Sequence, residues 1–275
     1  MSLTWTGEDP APPPAPGLLG ALRMALRAAA LLFVTYFGMI FVLILNLANR
    51  GRHAGTAHSI TCLWGRICLA LCGVRLEPVG TPMTHPGAVV SNHVGWIDIF
   101  TLLSADRVHF VSKAEVAHWP VVGVLSRQIG TVFIDRRRTA AKKQEAELVR
   151  RLAAGDRLCF FPEGTSTDGR RVLDFRSTLF AALFAVARET DIWVQPVTLV
   201  YRPQEGLDDR FYGWWGDMGL GPHLKAVFSL STRGVVEVVH HAPLRVRDYP
   251  DRKALSLAAE SAVRRGMTER LGSDR

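Results

Sequence analysis

Apolar and polar positions along this chain follow two different patterns, and the change comes near Gly73. Before it the apolar residues run together. Ala28 to Ala48 (AAALLFVTYFGMIFVLILNLA) spans 21 residues with no formal charge, between Arg23 and Arg27 on one side and Arg50 and Arg52 on the other. A helix of that length can cross a bilayer. A second run, Ile60 to Cys72 (ITCLWGRICLALC), is too short to span and is interrupted by Arg66. A hairpin dipped into one leaflet, with Arg66 reaching back to the headgroups, accommodates both runs, as does a spanning first helix. Arginines at both ends of the first run leave its orientation open.

After Gly73 short apolar runs alternate with helical ones, the pattern of a sheet with helices packed on it. Strands are predicted at 74–79, 87–91, 107–112, 131–135, 157–161, 193–201 and 235–240, and helices at 96–104, 120–129, 139–154, 177–189 and 252–271. Thr139 is a natural N-cap, and Leu148, Val149 and Leu152 give its helix an apolar face. Upstream of all this, Asp9 to Gly17 (DPAPPPAPG) is too rich in proline for regular structure. The predicted organisation is a flexible tail over 1–20, membrane-associated helices over 21–73 and an α/β domain over 74–275, its mixed sheet flanked by helices.

Composition narrows the partners. A chain of 275 residues that is 48% hydrophobic and 21% charged buries a real core, which excludes disorder for most of it. Its net charge of +8 calls for an anionic partner: a phospholipid surface, a phosphorylated ligand or an acidic carrier protein. Nucleic acid is not expected, because the basic residues are scattered or clustered at Arg136, Arg137 and Arg138 without an aromatic platform. Cys62, Cys68, Cys72 and Cys159 make no C-x-x-C pair, so they read as core or lipid-facing thiols rather than as a disulfide framework or a zinc site. Neither a metal nor a cofactor is expected.

The chemistry concentrates in Ser91 to Asp98 (SNHVGWID), where His93 and Asp98 stand five positions apart between a predicted strand and a predicted helix. With Asp98 in the first helical turn, its carboxylate can hold one ring nitrogen of His93 and leave the other free to take a proton. Three further segments fall at strand ends: Gly130 to Arg136 (GTVFIDR), Phe161 to Gly169 (FPEGTSTDG) and Val194 to Val197 (VQPV). Pro196 predicts an edge or a bulge for the last. In an α/β sheet, strand ends on one side share a cleft.

In this combination and order, the four blocks resemble the glycerolipid acyltransferase family, also called lysophosphatidate acyltransferase or PlsC-like. The likeness is carried by His93 and Asp98, then Phe133 to Arg136, then Phe161 to Thr165, then Val194 to Val197. It covers about residues 74 to 200 and extends to the two membrane helices. The resemblance implies transfer of a fatty acyl group from acyl-CoA or acyl carrier protein to a lipid hydroxyl, on a bacterial inner membrane with the catalytic domain facing the cytoplasm. It assigns catalysis to His93 and Asp98, and substrate binding to Lys113, Arg136, Glu163, Gly164 and Thr165. A thioester is already activated, so direct transfer without an acyl-enzyme is expected. Glu163 either organises its own block or orients the acceptor hydroxyl, and the oxyanion donors are backbone N–H groups near Lys113 or at a helix start.

Two positions depart from the family pattern. Ser166 stands where an arginine usually follows Glu-Gly-Thr, which weakens the case for a phosphate acceptor, and Arg170 and Arg171 lie in another register. Gly95 replaces a common serine. The EGTSTDG block, with Phe211 to Leu224 (FYGWWGDMGLGPHL) and the VEVVHHAPL segment ending at Leu244, looks like the bacterial branch that acylates lyso-ornithine lipid. That acceptor has a hydroxyl on its amide-linked fatty acid and a zwitterionic amino-acid headgroup, whose ammonium Asp217 could meet. Lysophosphatidate remains the alternative acceptor, and a lipid-binding protein without catalysis the alternative class. A serine hydrolase is disfavoured because Gly164 to Asp168 misses G-x-S-x-G at its last position.

Overall fold

The computed structural model describes residues 4–8, 10, 15–48, 54–119, 122–135 and 141–272. Two helices come first, α1 (Leu18–Ala48) and α2 (Ala54–Leu71), and Trp64 Nε1 pins them together by donating to Thr35 Oγ1 at 3.2 Å. The stretch Leu18–Phe41 is long and apolar enough to cross a membrane, and only 6% of it is buried. Leu26, Phe33, Phe37 and Ile40 are each more than half exposed. Apolar surface of this extent fits membrane association.

α1 starts inside the segment expected as tail, because its first turns have a protein partner. Arg23 donates to the carbonyl of Ser229 at 2.7 Å, and Arg27 to those of Phe228 and Leu230 at 3.2 and 3.0 Å. These acceptors end helix α7 (Leu220–Ser229), where carbonyls have no partner within the helix. Two arginines expected to flank a membrane segment are therefore anchors to the α/β domain.

That domain is one mixed sheet. Its strands are β1 (Val74–Val79), β2 (Gly87–Ser91), β3 (His109–Lys113), β4 (Val132–Ile134), β5 (Arg157–Phe160), β6 (Trp193–Arg202), β7 (Gly234–His240) and β8 (Leu244–Arg245). They lie in the order β1-β7-β6-β2-β5-β3-β4, with β8 beside β6. The pairs β2·β5, β2·β6, β3·β5, β3·β4 and β1·β7 are parallel, while β6 meets β7 and β8 antiparallel. Strand side chains alternate between the two faces. Ala88, Val90, Leu158, Phe160, Val194 and Val200 point to one core, with α5 (Ala141–Ala153), α6 (Ala181–Ala187) and α8 (Arg252–Gly272) over it. Val89, Cys159, Val197, Leu199, Val236 and Val238 point to the other, covered by α2, α3 (Ile97–Ala105) and α7.

Two local expectations change. α7 was not predicted, because Gly219, Gly221 and Pro222 read as loop; yet Pro222 falls in the first helical turn, where a missing N–H costs nothing. β6 is central rather than an edge strand. Pro196 fits there because the neighbour on that side changes from β8, opposite Val194, to β7, opposite Val197. Thr139 lies outside the described residues.

Candidate active site

The parallel strands β2, β5, β3 and β4 all end at the same side of the sheet, so the chain segments that follow them converge. His93 leaves β2 in the turn before α3, as expected, and Asp98 sits in the first turn of that helix. His93 Nδ1 lies 2.7 Å from Asp98 Oδ2, with the imidazole a quarter exposed and the carboxylate wholly buried. A buried carboxylate needs donors on every lone pair it can fill. Asp98 has them: the N–H groups of Val94 and Gly95 reach Oδ2 at 2.7 and 3.0 Å, and Tyr201 Oη–H reaches Oδ1 at 2.9 Å. With the carboxylate ionised, Nδ1 carries the proton and Nε2 presents a lone pair.

Long-range clamps hold this turn. Asn92, fully buried, exchanges both amide hydrogen bonds with the backbone of Leu199, at 3.0 and 2.8 Å. Glu163 accepts the N–H of His93 at 3.1 Å and that of Leu173 at 3.0 Å, and Thr167 N–H donates to the His93 carbonyl at 2.9 Å. The Phe161 ring stacks on His93 with centroids 4.1 Å apart. Glu163 is 1% exposed, and burial, only partly offset by the two N–H groups, pushes its pKa up to about 8. Both of its oxygens accept backbone N–H groups, which is the organising role of the two expected for it.

His93 opens onto a cleft of about 550 Å³. Lys113, Gly164 and Thr165 line it, together with Ser166, Arg176 and Trp119. Arg136 lies outside the described residues, as do Arg137 and Arg138. Asp217 is exposed on the surface and is not among the lining residues. Arg170 and Arg171 are engaged with Asp209 and Asp168, at 3.4 and 3.0 Å. The Val94 and Gly95 amides are taken by Asp98, and that of Gly164 by the Phe161 carbonyl at 3.1 Å. The amides of Thr165 and Ser166 carry no hydrogen bond among the described residues. Gln195, the polar member of the fourth block, is buried away from the cleft, binding Met83 N–H at 2.8 Å and the carbonyls of Thr81 and His241.

The opposite wall comes from segments without assigned chemistry. Trp214, Trp215 and Gly216 line the cleft, and Trp214 N–H donates to the Val94 carbonyl at 2.9 Å. A Cβ on Gly95 would lie 3.0 Å from that of Trp214, so a side chain there would have to push this close packing apart by a few tenths of an ångström. The tail expected over 1–20 also contributes. Thr4 lines the cleft, Trp5 N–H donates to Thr165 Oγ1 at 3.2 Å, and the Trp5 ring sits 5.8 Å from that of Trp215. The Arg171 guanidinium lies 5.1 Å above the Trp5 ring.

Sequence reasoning missed Tyr201, Arg176 and Trp5. Trp5 had a signal, a tryptophan ahead of a proline run. Tyr201 had none: β6 simply runs on past the end of β2, which carries its hydroxyl over to Asp98.

The arrangement can accept a proton at Nε2 while a reacting carbonyl lies in the cleft beside it. Residues 76–200 match the Acyltransferase family model. A lyso-ornithine lipid O-acyltransferase of Rhodobacter capsulatus is 48% identical over 97% of this chain and 98% of its own. A 1-acyl-sn-glycerol-3-phosphate acyltransferase of Neisseria meningitidis is 31% identical over 73% of this chain and 77% of its own. The crystal structure of the 1-acyl-sn-glycerophosphate acyltransferase PlsC from Thermotoga maritima superposes with a TM-score of 0.67 at 20% identity, covering 92% of this chain and 95% of that one. The fold, the ordered blocks around His93 and a near-full-length relative at that identity establish that this chain belongs to the acyltransferase family.

Proposed function

We propose that this chain transfers a fatty acyl group from an acyl carrier protein or coenzyme A thioester to the free hydroxyl of lyso-ornithine lipid. The observation that carries the chemistry is the 2.7 Å contact of His93 Nδ1 with a carboxylate held by two backbone amides and a tyrosine. Nε2 takes the acceptor's hydroxyl proton as its oxygen bonds to the thioester carbon. The carbon–sulfur bond then breaks, and the imidazolium returns the proton to the leaving thiolate. Asp98 stabilises the imidazolium throughout. The amides of Thr165 and Ser166 are the candidate donors to the oxyanion, since Gly164 turns the chain there at φ 73°. Lys113, which lines the cleft, contacts the acceptor or the thioester in this reading. This reading needs no metal or cofactor, and it places the enzyme on a bacterial inner membrane with its cleft on the cytoplasmic side.

The acceptor choice follows the name of the 48% identical relative; the name of the 31% identical one supports lysophosphatidate as a second reading. The test is competition between the two acceptors for one labelled acyl donor with the purified protein in detergent. Preferential labelling of ornithine lipid is expected. Preferential labelling of phosphatidate would overturn the acceptor while leaving the acyl-transfer chemistry intact.

A further inference from the structure

The block that usually carries an arginine after Glu-Gly-Thr carries Ser166 instead, yet the cleft beside it is not without a guanidinium. Arg176 lies ten positions downstream and returns to the same wall. Its N–H donates to the Pro162 carbonyl at 3.0 Å, which brings its side chain back over the turn at Gly164. A Cβ built on Gly164 would lie 3.4 Å from both Cζ and Nη1 of Arg176 and 3.5 Å from Nε. Three nearly equal distances mean that the guanidinium lies face-on over the glycine. The stacked face is occupied, and the N–H edge is left for a ligand. Gly164 turns the chain beneath the guanidinium at φ 73°, a conformation that favours glycine.

Neighbouring arginines are neutralised by carboxylates: Arg170 by Asp209, Arg171 by Asp168, Arg210 by Asp208 and Arg264 by Glu260 and Asp174. Arg176 lines the cleft that contains His93, and its guanidinium has no hydrogen bond or ion pair among the described residues. A planar cation with a free fork suits a carboxylate in two-point contact.

We propose that Arg176 forms the anion subsite of the acceptor cleft and binds the carboxylate of the acceptor's amino-acid headgroup, in place of the arginine lost at position 166. This rests on the lyso-ornithine lipid reading. There the carboxylate is joined through the amide to the hydroxyl-bearing chain, so one acceptor can present its acid to Arg176 and its hydroxyl to His93. Gly164 is then a platform for the cation as well as a turn.

The test uses the full chain, its Arg176→Gln and Arg176→Lys variants, and two acceptors: lyso-ornithine lipid and the same lipid with its carboxylate converted to a carboxamide. Arg176→Gln is expected to raise KM for the free acid about tenfold or more with a smaller change in kcat, as loss of a charge-assisted contact does. The carboxamide should be a poor acceptor for wild type and no poorer for Arg176→Gln, with Arg176→Lys intermediate on the free acid. An equal loss on both acceptors, or an unchanged KM for the free acid, would overturn the proposal. Failure of the parent reading looks different. Wild type would then ignore lyso-ornithine lipid and use lysophosphatidate, and an unchanged KM for that phosphate in Arg176→Gln would remove the anion subsite as well.

Discussion

The two walls of the cleft are built differently. On the His93 side every polar group is buried or bonded several times: Asp98 has four partners, Asn92 is closed on Leu199, and Glu163 joins the backbone at His93 to that at Leu173. On the other side, Trp5 is held by one amide hydrogen bond and ring contacts. A proton-transfer group must keep its geometry whatever the acceptor, so it is over-determined. Trp5 has few such ties, so substitutions there disturb little else.

The sharpest way to break this contrast is to remove the base. His93→Ala should lower kcat by about a thousandfold, the scale of a lost general base, with only a modest fall in melting temperature, since Asp98 keeps three of its four partners. Turnover within tenfold of wild type would mean that the rigid wall is not the catalytic one.

Glu163 sharpens the comparison through pH. Its pKa is raised from 4.5 to about 8, so between those values the folded chain holds a proton that the unfolded chain has released. Its contribution to stability is full below about pH 4.5, declines as pH rises toward about 8 and is flat above. The melting temperature of wild type should therefore fall across that window, and Glu163→Gln should flatten the fall while lowering the melting temperature overall. Parallel pH profiles for the two proteins would exclude the assignment.

The smallest effect is expected from the opposite wall. Trp5→Ala should change KM for the acceptor by about threefold to tenfold and leave the thermal midpoint within a few degrees, since it removes ring contacts and little buried surface. A large drop in kcat at saturating acceptor would show that Trp5 serves the base as well.

Much of this was legible because the informative signals were local. Val74–Val79 and Gly87–Ser91 are short runs bounded by glycine, and both strands form over the residues predicted. His93 and Asp98 are separated by one turn, so a pairing rule reaches across them. What escaped depends on distance in the chain. Tyr201 is 103 positions from Asp98, and only the register of β6 on β2 joins them. Arg176 has no motif of its own; its place is set by a bond to Pro162 and by stacking over the turn at Gly164. α7 was hidden by a proline whose position within the first turn cannot be read until the helix is known.

The bonds of Arg23 and Arg27 to the end of α7 bear on how a lipid acceptor is met. They fasten the apolar helix to the element that follows the Trp214–Gly216 wall, so with α1 seated in a bilayer the catalytic domain cannot swing clear of it. Acceptors are then sampled by lateral diffusion in a plane, and turnover follows their mole fraction in the surface rather than their amount per volume of buffer. Diluting the acceptor with inert lipid at constant total acceptor should slow this enzyme as effectively as removing substrate.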